Sequence, residues 1–277
     1  MQRDLRRVNI NMKTIIITGS TRGVGFHLAR SFLERGCNVV ICGRSQAGVD
    51  KALKDLSPQD RVLGMACDVS DGRSVRRLVE SAVSKFGSVD VFIHNAGTTT
   101  IPVKFADAPI DEIQATIQTK VMGAAHSARA AIPQMMKQPN GGAIYFVEGM
   151  GTRGDVQEGT ISLGAANNAV VYLIKGLMKE YKDTKIIFGG IRPGINITEH
   201  LMHGWEHLSP ERQAQTKRIF NILGDYPETT APALADMILA NTKNGTTVRW
   251  MSTGKLMMRF LTASFKKRDL FKNMETK

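Results

Sequence analysis

Cysteine is scarce in this chain, and its number argues against a disulfide-based fold. The 277 residues contain three cysteines, Cys37, Cys42 and Cys67. Three cysteines cannot all pair within one chain, and no two of them have the spacing of metal ligands. All three fall in or beside apolar runs, where reduced thiols in buried strands are expected. The sequence therefore predicts neither a disulfide framework nor a metal site.

Long apolar runs are also missing. No segment reaches the roughly 18 uninterrupted apolar residues that are typical of a membrane-spanning helix. Residues 1–12 are basic but are not followed by the apolar stretch of a secretory signal. Basic and aromatic residues nowhere combine in a nucleic-acid recognition motif. We therefore predict an intracellular protein, soluble or peripherally associated with a membrane, that does not bind nucleic acid.

Acidic residues are too few to balance the basic ones, and the imbalance lies at the two ends. The net charge is +12. Residues 1–13 hold four basic groups and one acid, and residues 243–277 hold nine basic groups and two acids, so the body between them is nearly neutral. Basic ends either improve solubility as solvated tails or contact an anionic surface.

The sequence does contain a regular alternation of apolar strands and amphipathic helices. Six short runs are apolar throughout, as expected for strands that are covered on both faces. They are residues 14–18, 38–42, 62–67, 89–95, 142–147 and 185–191. Helical patterns between them, such as those ending at Gly36 and Gly87, provide right-handed crossovers between parallel strands. The pattern predicts an α/β protein: a single-domain, doubly wound Rossmann fold with a parallel sheet and helices on both faces.

This pattern divides the chain into three parts. Residues 1–12 are a basic N-terminal extension, residues 13–242 are the α/β domain, and residues 243–277 are a basic amphipathic C-terminal segment. Within the domain, residues 199–232 are predicted to form one or two inserted helices that shape a substrate pocket. The insertion holds three histidines whose helical spacing is interpreted as an exposed polar face rather than a metal site: His200, His203 and His207.

The C-terminal segment has one apolar helical face. Met257, Phe260, Leu261 and Phe265 fall on the same side of a predicted helix, with basic residues nearby. This face either packs on the body of the protein or on a second subunit, or it lies on a membrane surface.

The first strand leads into a glycine-rich turn that suits a dinucleotide. Gly19, Gly23 and Gly25 lie in TGSTRGVG, where side chains would keep the backbone away from a pyrophosphate at the helix N-terminus. The second strand ends in ICGRS, without the acid that usually binds a ribose 2′-hydroxyl. Arg44 at this place and Arg22 in the turn suit a 2′-phosphate instead. The sequence therefore favours NADP(H) over NAD(H).

Three more motifs follow at strand ends: CDVS with Asp68, HNAG at 94–97 and RPGINIT at 192–198. Together with the glycine-rich turn, they make residues 13–200 resemble the short-chain dehydrogenase/reductase family. The resemblance implies that Asp68 contacts the adenine, although turn capping is an alternative role for Asp68 and Asn95. The implied cofactor-binding residues are Gly19, Ser20, Arg22, Gly23, Val24, Gly25, Arg44, Ser45, Asp68, Val69, Asn95, Ala96, Gly97, Pro193, Gly194, Ile195 and Thr198.

A finer resemblance is to the chlorophyll b reductase branch of that family. It is carried by TGSTRGVG, by VEGMG, by FNILGDYPET and by the tail STGKLMMRFLTASFKKRDLF. That branch reduces a formyl group on a large hydrophobic tetrapyrrole with NADPH. The resemblance implies NADP(H) as cofactor, a bulky hydrophobic small molecule as substrate, and a homodimer or homotetramer.

The family's catalytic positions hold unusual residues here. The family uses a Tyr and a Lys four residues apart on one helix, where the Tyr protonates the substrate oxygen. The resemblance aligns GAANNAVV with that helix and places Leu163 at the Tyr position and Asn167 at the Lys position. Gly149, preceded by Glu148, falls at the family's Ser position, and Lys120 falls at its Asn position. We therefore expect Lys120, Glu148 and Asn167 to form an atypical catalytic site.

Each part of this interpretation has an alternative. Lys120 either stabilises an oxyanion or acts as an acid or base, or it is a solvated helix lysine. Glu148 either acts as a general base or binds a polar group of the substrate, or it is a capping or loop carboxylate. For the whole protein, the first hypothesis is an oxidoreductase acting on a bulky hydrophobic carbonyl or alcohol, such as a pigment or secondary metabolite. The alternatives are an isomerase, lyase or cyclase on the same fold, or a catalytically silent nucleotide-binding scaffold.

Overall fold

One parallel sheet forms the centre of the protein. A computed structural model describes residues 12–152, 154–199, 201–202, 204–263, 265 and 268–272. Over these ranges seven strands lie in the order β3-β2-β1-β4-β5-β6-β7, all parallel. They are β1 Thr14–Ile17, β2 Asn38–Gly43, β3 Val62–Ala66, β4 Val91–His94, β5 Gly142–Val147, β6 Ile186–Arg192 and β7 Thr247–Arg249. The predicted doubly wound fold is confirmed.

Helices connect these strands and cover both faces of the sheet. Their bounds are α1 Gly23–Glu34, α2 Gln46–Lys54, α3 Gly72–Phe86, α4 Ile110–Ile117, α5 Gly123–Met136, α6 Ile161–Glu180, α7 Pro210–Leu223, α8 Pro227–Ala240 and α9 Thr253–Thr262. A π-helical turn, Gln118–Met122, joins α4 to α5 without a break. Such turns often mark functional positions, because they change the direction of a side chain on an otherwise regular helix.

Two apolar layers hold the helices to the sheet. On one face, Phe92 and Phe146 pack in a layer with the buried sides of α3, α5 and α6. On the other, Ile15 and Tyr145 pack with α1, α2 and α8. The strands are apolar on both faces because both faces are covered, as their continuous apolar runs predict.

Helix α6 is long and apolar enough to cross a membrane by length and composition, and it is the one helix of the described chain that meets this test. Its buried side chains include Val170, Ile174 and Leu177, which belong to the layer that packs on the sheet. In the fold, α6 is therefore a core helix.

The segment at 199–232 contains α7 and the first residues of α8, and Asp225 between these helices pairs with Asn196 in the loop after β6. Trp205 and Phe220 from this segment pack with Ile197, Leu270 and Phe271 in a third apolar cluster. The cluster ties the insertion to the end of the chain. The three histidines of this segment are predicted to form an exposed polar face. His207 is exposed, whereas His200 and His203 lie outside the described residues.

The apolar face of the C-terminal segment is turned outward. Met257, Phe260, Leu261 and Phe265 are 53–89% exposed. Packing of this face on the body, one of the three arrangements left open by the sequence, is therefore wrong. The opposite side of α9 packs inward because Arg259 is bound there.

Candidate active site

The glycine-rich turn after β1 is clamped to the end of β4. The side-chain amide of Asn95 donates to the carbonyl oxygens of Thr18 (3.0 Å) and Gly19 (2.9 Å). Gly19 has a φ of 61°, and a Cβ on it would lie 2.9 Å from Ala96 Cα. A Cβ on Gly25 would lie 2.5 Å from Asn95 Nδ2. The fold thus brings these predicted residues together at the point where strand order reverses, and glycine permits the close approach.

The N-terminus of α1 lies at this turn and lacks a cap from the chain itself. In the part of the chain that the structure describes, Arg22 at the N-cap makes no side-chain capping bond, and the first turn of α1 contains no acid. In contrast, Ser45 caps α2 and Asp71 caps α3 by accepting backbone N–H bonds. The first N–H groups of α1 therefore fit an external anion such as a pyrophosphate.

Two arginines lie beside the turn on its solvent side. Arg44 follows β2 directly and is exposed. Arg22 pairs with Glu199 at 3.5 Å, but both side chains are at least 70% exposed. Exposed pairs of this kind are weak. Arg22 can therefore leave Glu199 for a phosphate at little cost.

The side chains of Ser20 and Asp68 already have hydrogen-bond partners in the chain: Ser20 in β1 and β2, and Asp68 within its own turn. The hydroxyl of Ser20 is buried, donates to Ile17 O at 2.5 Å and accepts from Cys42 N at 3.0 Å. Asp68 Oδ1 accepts from both the backbone N–H and the hydroxyl of Ser70. These contacts match the turn-capping alternative for Asp68, and Asp68 itself remains exposed beside the β3 end.

The other predicted cofactor residues border neighbouring loops. Ala96 donates through its backbone N–H to Thr18 Oγ1 at 3.1 Å, and Val69 is buried at the adjacent strand end. After β6, the carbonyl of Pro193 accepts from Asn196 Nδ2 at 2.9 Å. A Cβ on Gly23 would lie 3.6 Å from the methyl of Thr198, which places the loop after β6 beside the glycine-rich turn. Of the remaining members of the set, Val24 lies in α1, Gly97 in the loop after β4, and Gly194 and Ile195 in the loop after β6.

Lys120 projects from the π-helical turn into the interior. It is 8% exposed, and its Nζ donates to the carbonyl oxygen of Val147, the last residue of β5, at 3.3 Å. Its Cδ would lie 3.3 Å from a Cβ on Gly97. Burial lowers the pKa of Lys120 from 10.5 to about 8. The alternative of a solvated helix lysine is therefore wrong, and the amine lies between the carboxyl ends of β4 and β5.

His94 is a neutral neighbour of this lysine. Burial, and then the charge of Lys120, lower the pKa of His94 to about 3. Its Nδ1 lies 3.1 Å from Ser127 Oγ and 3.4 Å from Thr18 Oγ1. His94 therefore packs and forms hydrogen bonds below the site, and its imidazole carries no charge at neutral pH.

Asn167 lies on the buried face of α6, whereas Tyr172 lies on its exposed face. Asn167 is 1% exposed and donates through Nδ2 to Met150 O at 2.9 Å. Its Oδ1 is buried and has no hydrogen-bond partner among the described residues. Such an orphaned acceptor is costly unless a ligand or solvent group donates to it. Leu163, one turn earlier, is half-buried.

Gly149 and Asn167 fit each other closely. A Cβ on Gly149 would lie 2.6 Å from Asn167 Nδ2, so the amide occupies the space that a side chain at 149 would need. We expect Gly149→Ser to lower the free energy of unfolding by about 1–3 kcal/mol, as measured by urea denaturation. Gly164→Ser is the control, because a Cβ there meets nothing within 4 Å among the described atoms. Equal losses in both variants would contradict the contact.

Glu148 is directed toward β6 and β7. Its carboxylate accepts from Arg192 Nε at 2.5 Å and lies 3.4 Å from Thr247 Oγ1. The Glu148 side chain is 4% exposed and that of Arg192 is 22% exposed. A general base must contact the substrate proton, whereas both oxygens of this carboxylate contact residues of β6 and β7. The observed contacts give Glu148 the role of fixing Arg192 immediately before the loop at Pro193.

Known proteins share the sequence pattern that forms this site. Residues 13–208 match the model of the short chain dehydrogenase family. The chain belongs to this family. Among curated short-chain dehydrogenases, it is 34% identical over 254 residues to chlorophyll(ide) b reductase NOL of Arabidopsis thaliana, a match that covers 90% of this chain and 70% of the relative. It is 28% identical to the probable chlorophyll(ide) b reductase NYC1 of the same plant, covering 91% and 53%.

A solved short-chain dehydrogenase gives the same picture. The 3-ketoacyl-(acyl-carrier-protein) reductase of Brucella melitensis, complexed with NADH, is 25% identical, with a TM-score of 0.74. The match covers 88% of this chain and 98% of that one. The whole α/β body is therefore shared with a family member that holds a nicotinamide nucleotide.

Sequence reasoning missed the partners of several site residues. Arg192 was part of a motif but gave no signal as the partner of Glu148. Pro102 is another example: a Cβ on Gly159 would lie 2.8 Å from its carbonyl carbon, and a Cβ on Gly204 would lie 3.0 Å from its Cδ. The loops that carry Gly159 and Gly204 therefore both contact the loop at Pro102. These contacts could not be predicted, because the three segments are far apart in the sequence.

Proposed function

We propose that the protein is an NADP(H)-dependent reductase of a bulky hydrophobic carbonyl compound, in which Lys120 delivers the proton. The observation that carries the proposal is the buried Lys120 amine with its pKa near 8 at the end of β5. The chlorophyll(ide) b reductase relatives support a large hydrophobic formyl substrate. Their chloroplastic names agree with an intracellular protein.

The residues of the nucleotide site fit the cofactor. The N-terminus of α1 would hold the pyrophosphate, and Arg44 with Arg22 would bind the 2′-phosphate of NADP(H). The unpaired Oδ1 of Asn167 would accept a hydrogen bond from a ribose hydroxyl of the cofactor. In the family, a lysine binds this ribose. When bound, the nicotinamide supplies or takes a hydride, and the protein supplies orientation and electrostatics.

The usual catalytic pair is proposed to be replaced. In the alignment with the family, Leu163 stands for the Tyr, Asn167 for the Lys and Gly149 for the Ser. Three observations support this alignment: Tyr172, the only tyrosine in α6, is 80% exposed, Asn167 faces inward, and it fills the space beside Gly149. By the same resemblance, Lys120 on the π-helical turn is assigned to the family's Asn position.

Lys120 has the properties of a proton donor. At neutral pH its lowered pKa leaves most of the amine protonated but makes the proton easier to release than that of an exposed lysine. In a site with little water, the ammonium group also stabilises negative charge on the substrate oxygen. Lys120 therefore holds a proton at Nζ for the oxygen of the reduced carbonyl. The carbonyl oxygen of Val147, which accepts from Nζ, aims the amine.

The reduction rate should depend on this proton. Below pH 8 the amine is charged and the rate is constant, while above about pH 8 the amine loses its proton and the rate falls about tenfold per pH unit. The measurement is kcat against pH at saturating NADPH and aldehyde. A constant rate from pH 7 to pH 10 would contradict the role of Lys120.

The 2′-phosphate should be selected by Arg44. We expect Arg44→Ala to raise the Kd for NADPH about tenfold while leaving the Kd for NADH unchanged, because one charged contact to the phosphate is lost. Titration of nucleotide fluorescence measures both. Arg73→Ala is the control, since that side chain is 90% exposed and lies outside the site. Equal weakening of both nucleotides would remove the basis for NADP(H) preference.

The proposed assembly is a homodimer or homotetramer through α4 and α5. Ile117, Met122 and Met136 along these helices are 37–54% exposed in the single chain, which supports a second copy as the cover. Light scattering of the purified protein measures its mass.

A panel of hydrophobic aldehydes and ketones tests the function. The purified protein is mixed with NADPH, and nucleotide oxidation and product are followed together. Oxidation that requires the carbonyl compound supports the reductase. Product without a change in the nucleotide identifies an isomerase, lyase or cyclase, and tight NADPH binding without any product identifies a silent scaffold.

A further inference from the structure

The outward side of α9 and the turn after it form an apolar surface. We call this the α9 face; it consists of Met257 (59% exposed), Met258 (61%), Phe260 (53%), Leu261 (71%) and Phe265 (89%). Isolated exposed apolar residues are ordinary, but five large ones within nine positions form a contiguous patch of the kind that marks an interaction site.

The other side of α9 is held by a buried carboxylate. Arg259 donates through Nη2 to both oxygens of Asp225, at 2.9 and 2.7 Å, and through Nη1 to the carbonyls of Leu223 and Gly224. Asp225 is 4% exposed. Rotating α9 to bury its apolar face would break these bonds and leave a buried charge unpaired, which costs several kcal/mol. The α9 face is therefore fixed toward the outside.

Two further contacts brace the same side. Arg268 donates to Asp225 Oδ1 at 2.9 Å, so the chain on both sides of the apolar turn is bound to one carboxylate. The ammonium of Lys255 lies over the ring of Trp250, whose Nε1 donates to Asp225 Oδ2 at 2.6 Å. The face is thus presented on a rigid base rather than on a loose tail.

The charge of the C-terminal segment favours an anionic partner over a second copy of the chain. Residues 243–277 carry nine basic groups and two acids, and Arg249 and Lys272, which precede and follow the α9 face along the chain, are exposed. Pairing with a second copy would bring two such segments together, and their like charges would oppose association. An anionic partner is complementary. Apolar side chains that are flanked along the chain by lysine and arginine suit the headgroup boundary of a lipid bilayer.

We propose that the α9 face docks the protein on an anionic lipid surface. The apolar side chains enter the headgroup boundary, and the basic residues of 243–277 contact the phosphates around them. The association is peripheral and reversible, because five side chains bury far less apolar area than a spanning helix.

Docking would also place the insertion near the bilayer. Leu270 and Phe271, a few residues beyond the face, pack with Ile197, Trp205 and Phe220 in the third apolar cluster. A hydrophobic substrate would then pass from the lipid to the site over a short distance. This consequence rests on the proposed function, whereas the docking itself does not.

Sedimentation with lipid vesicles tests the docking. The full chain is mixed with vesicles of phosphatidylcholine alone or of phosphatidylcholine with phosphatidylglycerol, without nucleotide or substrate. We expect binding to the anionic vesicles, weakened by salt, and little binding to the neutral ones. The double variant F260S/L261S should bind about tenfold less, because two apolar side chains no longer enter the boundary.

The matched control is V156S/M237S, which removes two apolar side chains that are 90% and 36% exposed away from both the α9 face and the proposed assembly helices; its binding should equal that of the unchanged chain. Absence of binding to both vesicles overturns the proposal. Equal binding by F260S/L261S and the unchanged chain also overturns it, since charge alone would then suffice. Loss of a lipid-free dimer in F260S/L261S, measured by light scattering, would assign the face to a second copy instead. No turnover is measured in this experiment, so absence of vesicle binding does not contradict the reductase assignment. Absence of reductase activity, likewise, does not contradict the docking.

Discussion

Replacing Lys120 by methionine is expected to lower kcat for NADPH-dependent carbonyl reduction by about 10²–10⁴-fold, the range associated with loss of one general acid. Methionine retains the apolar stem that packs against Gly97 and lies in the same buried space. The hydrogen bond to Val147 and the proton are lost together. The measurement is steady-state NADPH oxidation, with the nucleotide Kd determined in parallel.

The control for this variant is Lys175→Met on α6, where the lysine is exposed; its rate should match that of the unchanged protein. A structural role for Lys120 would change stability but would not alter the pH profile. In Lys120→Met the fall in rate above pH 8 should therefore disappear along with most of the activity. Full turnover by Lys120→Met would show that the proton comes from another group.

Replacing Asp225 by alanine is expected to lower the free energy of unfolding by about 3–5 kcal/mol. The change removes the shared partner of Arg259 and Arg268 and leaves two guanidinium groups without an anion, at side-chain exposures of 17% and 32%. The Nε1–H of Trp250 loses its acceptor as well. Urea denaturation measures the effect. Because the backbone of Asp225 pairs with Ile195 and Ile197, the loop after β6 should also become easier to cleave with protease.

A comparison with Asp236→Ala separates burial from charge pairing. Asp236 also forms a close arginine pair, with Arg35, but its side chain is 65% exposed. An exposed pair contributes up to about 1 kcal/mol, so this variant should lose far less stability. If the two variants lose the same amount, Asp225 is not the buried anchor of the C-terminal segment.

Most of the fold was predictable because its signals are local. Continuous apolar runs gave six strands to within two residues at each end, and glycine at 36 and 87 follows the ends of α1 and α3. The strand β7 was missed, since three residues with one buried side chain carry no periodicity. Helix α2 was not singled out either, because it has only two buried residues.

The candidate site was harder to predict, because its decisive contacts join residues far apart in the chain. The motifs gave the position of Lys120 but not its burial, which depends on how the π-helical turn packs beneath β5. Glu148 was predicted to face the substrate, whereas its ion pair with Arg192 depends on the register of β5 and β6. The direction of the α9 face stayed open for the same reason: it is set by Asp225, which lies more than 30 residues earlier.

A single-turnover experiment tests the central claim most directly. Protein saturated with NADPH is mixed with a hydrophobic formyl compound, and the nicotinamide absorbance is followed in a stopped-flow instrument at several pH values. The account predicts rapid oxidation of the bound nucleotide together with formation of the alcohol, at a rate that falls above about pH 8. Bound NADPH that stays reduced with every formyl compound, at every pH, would contradict it.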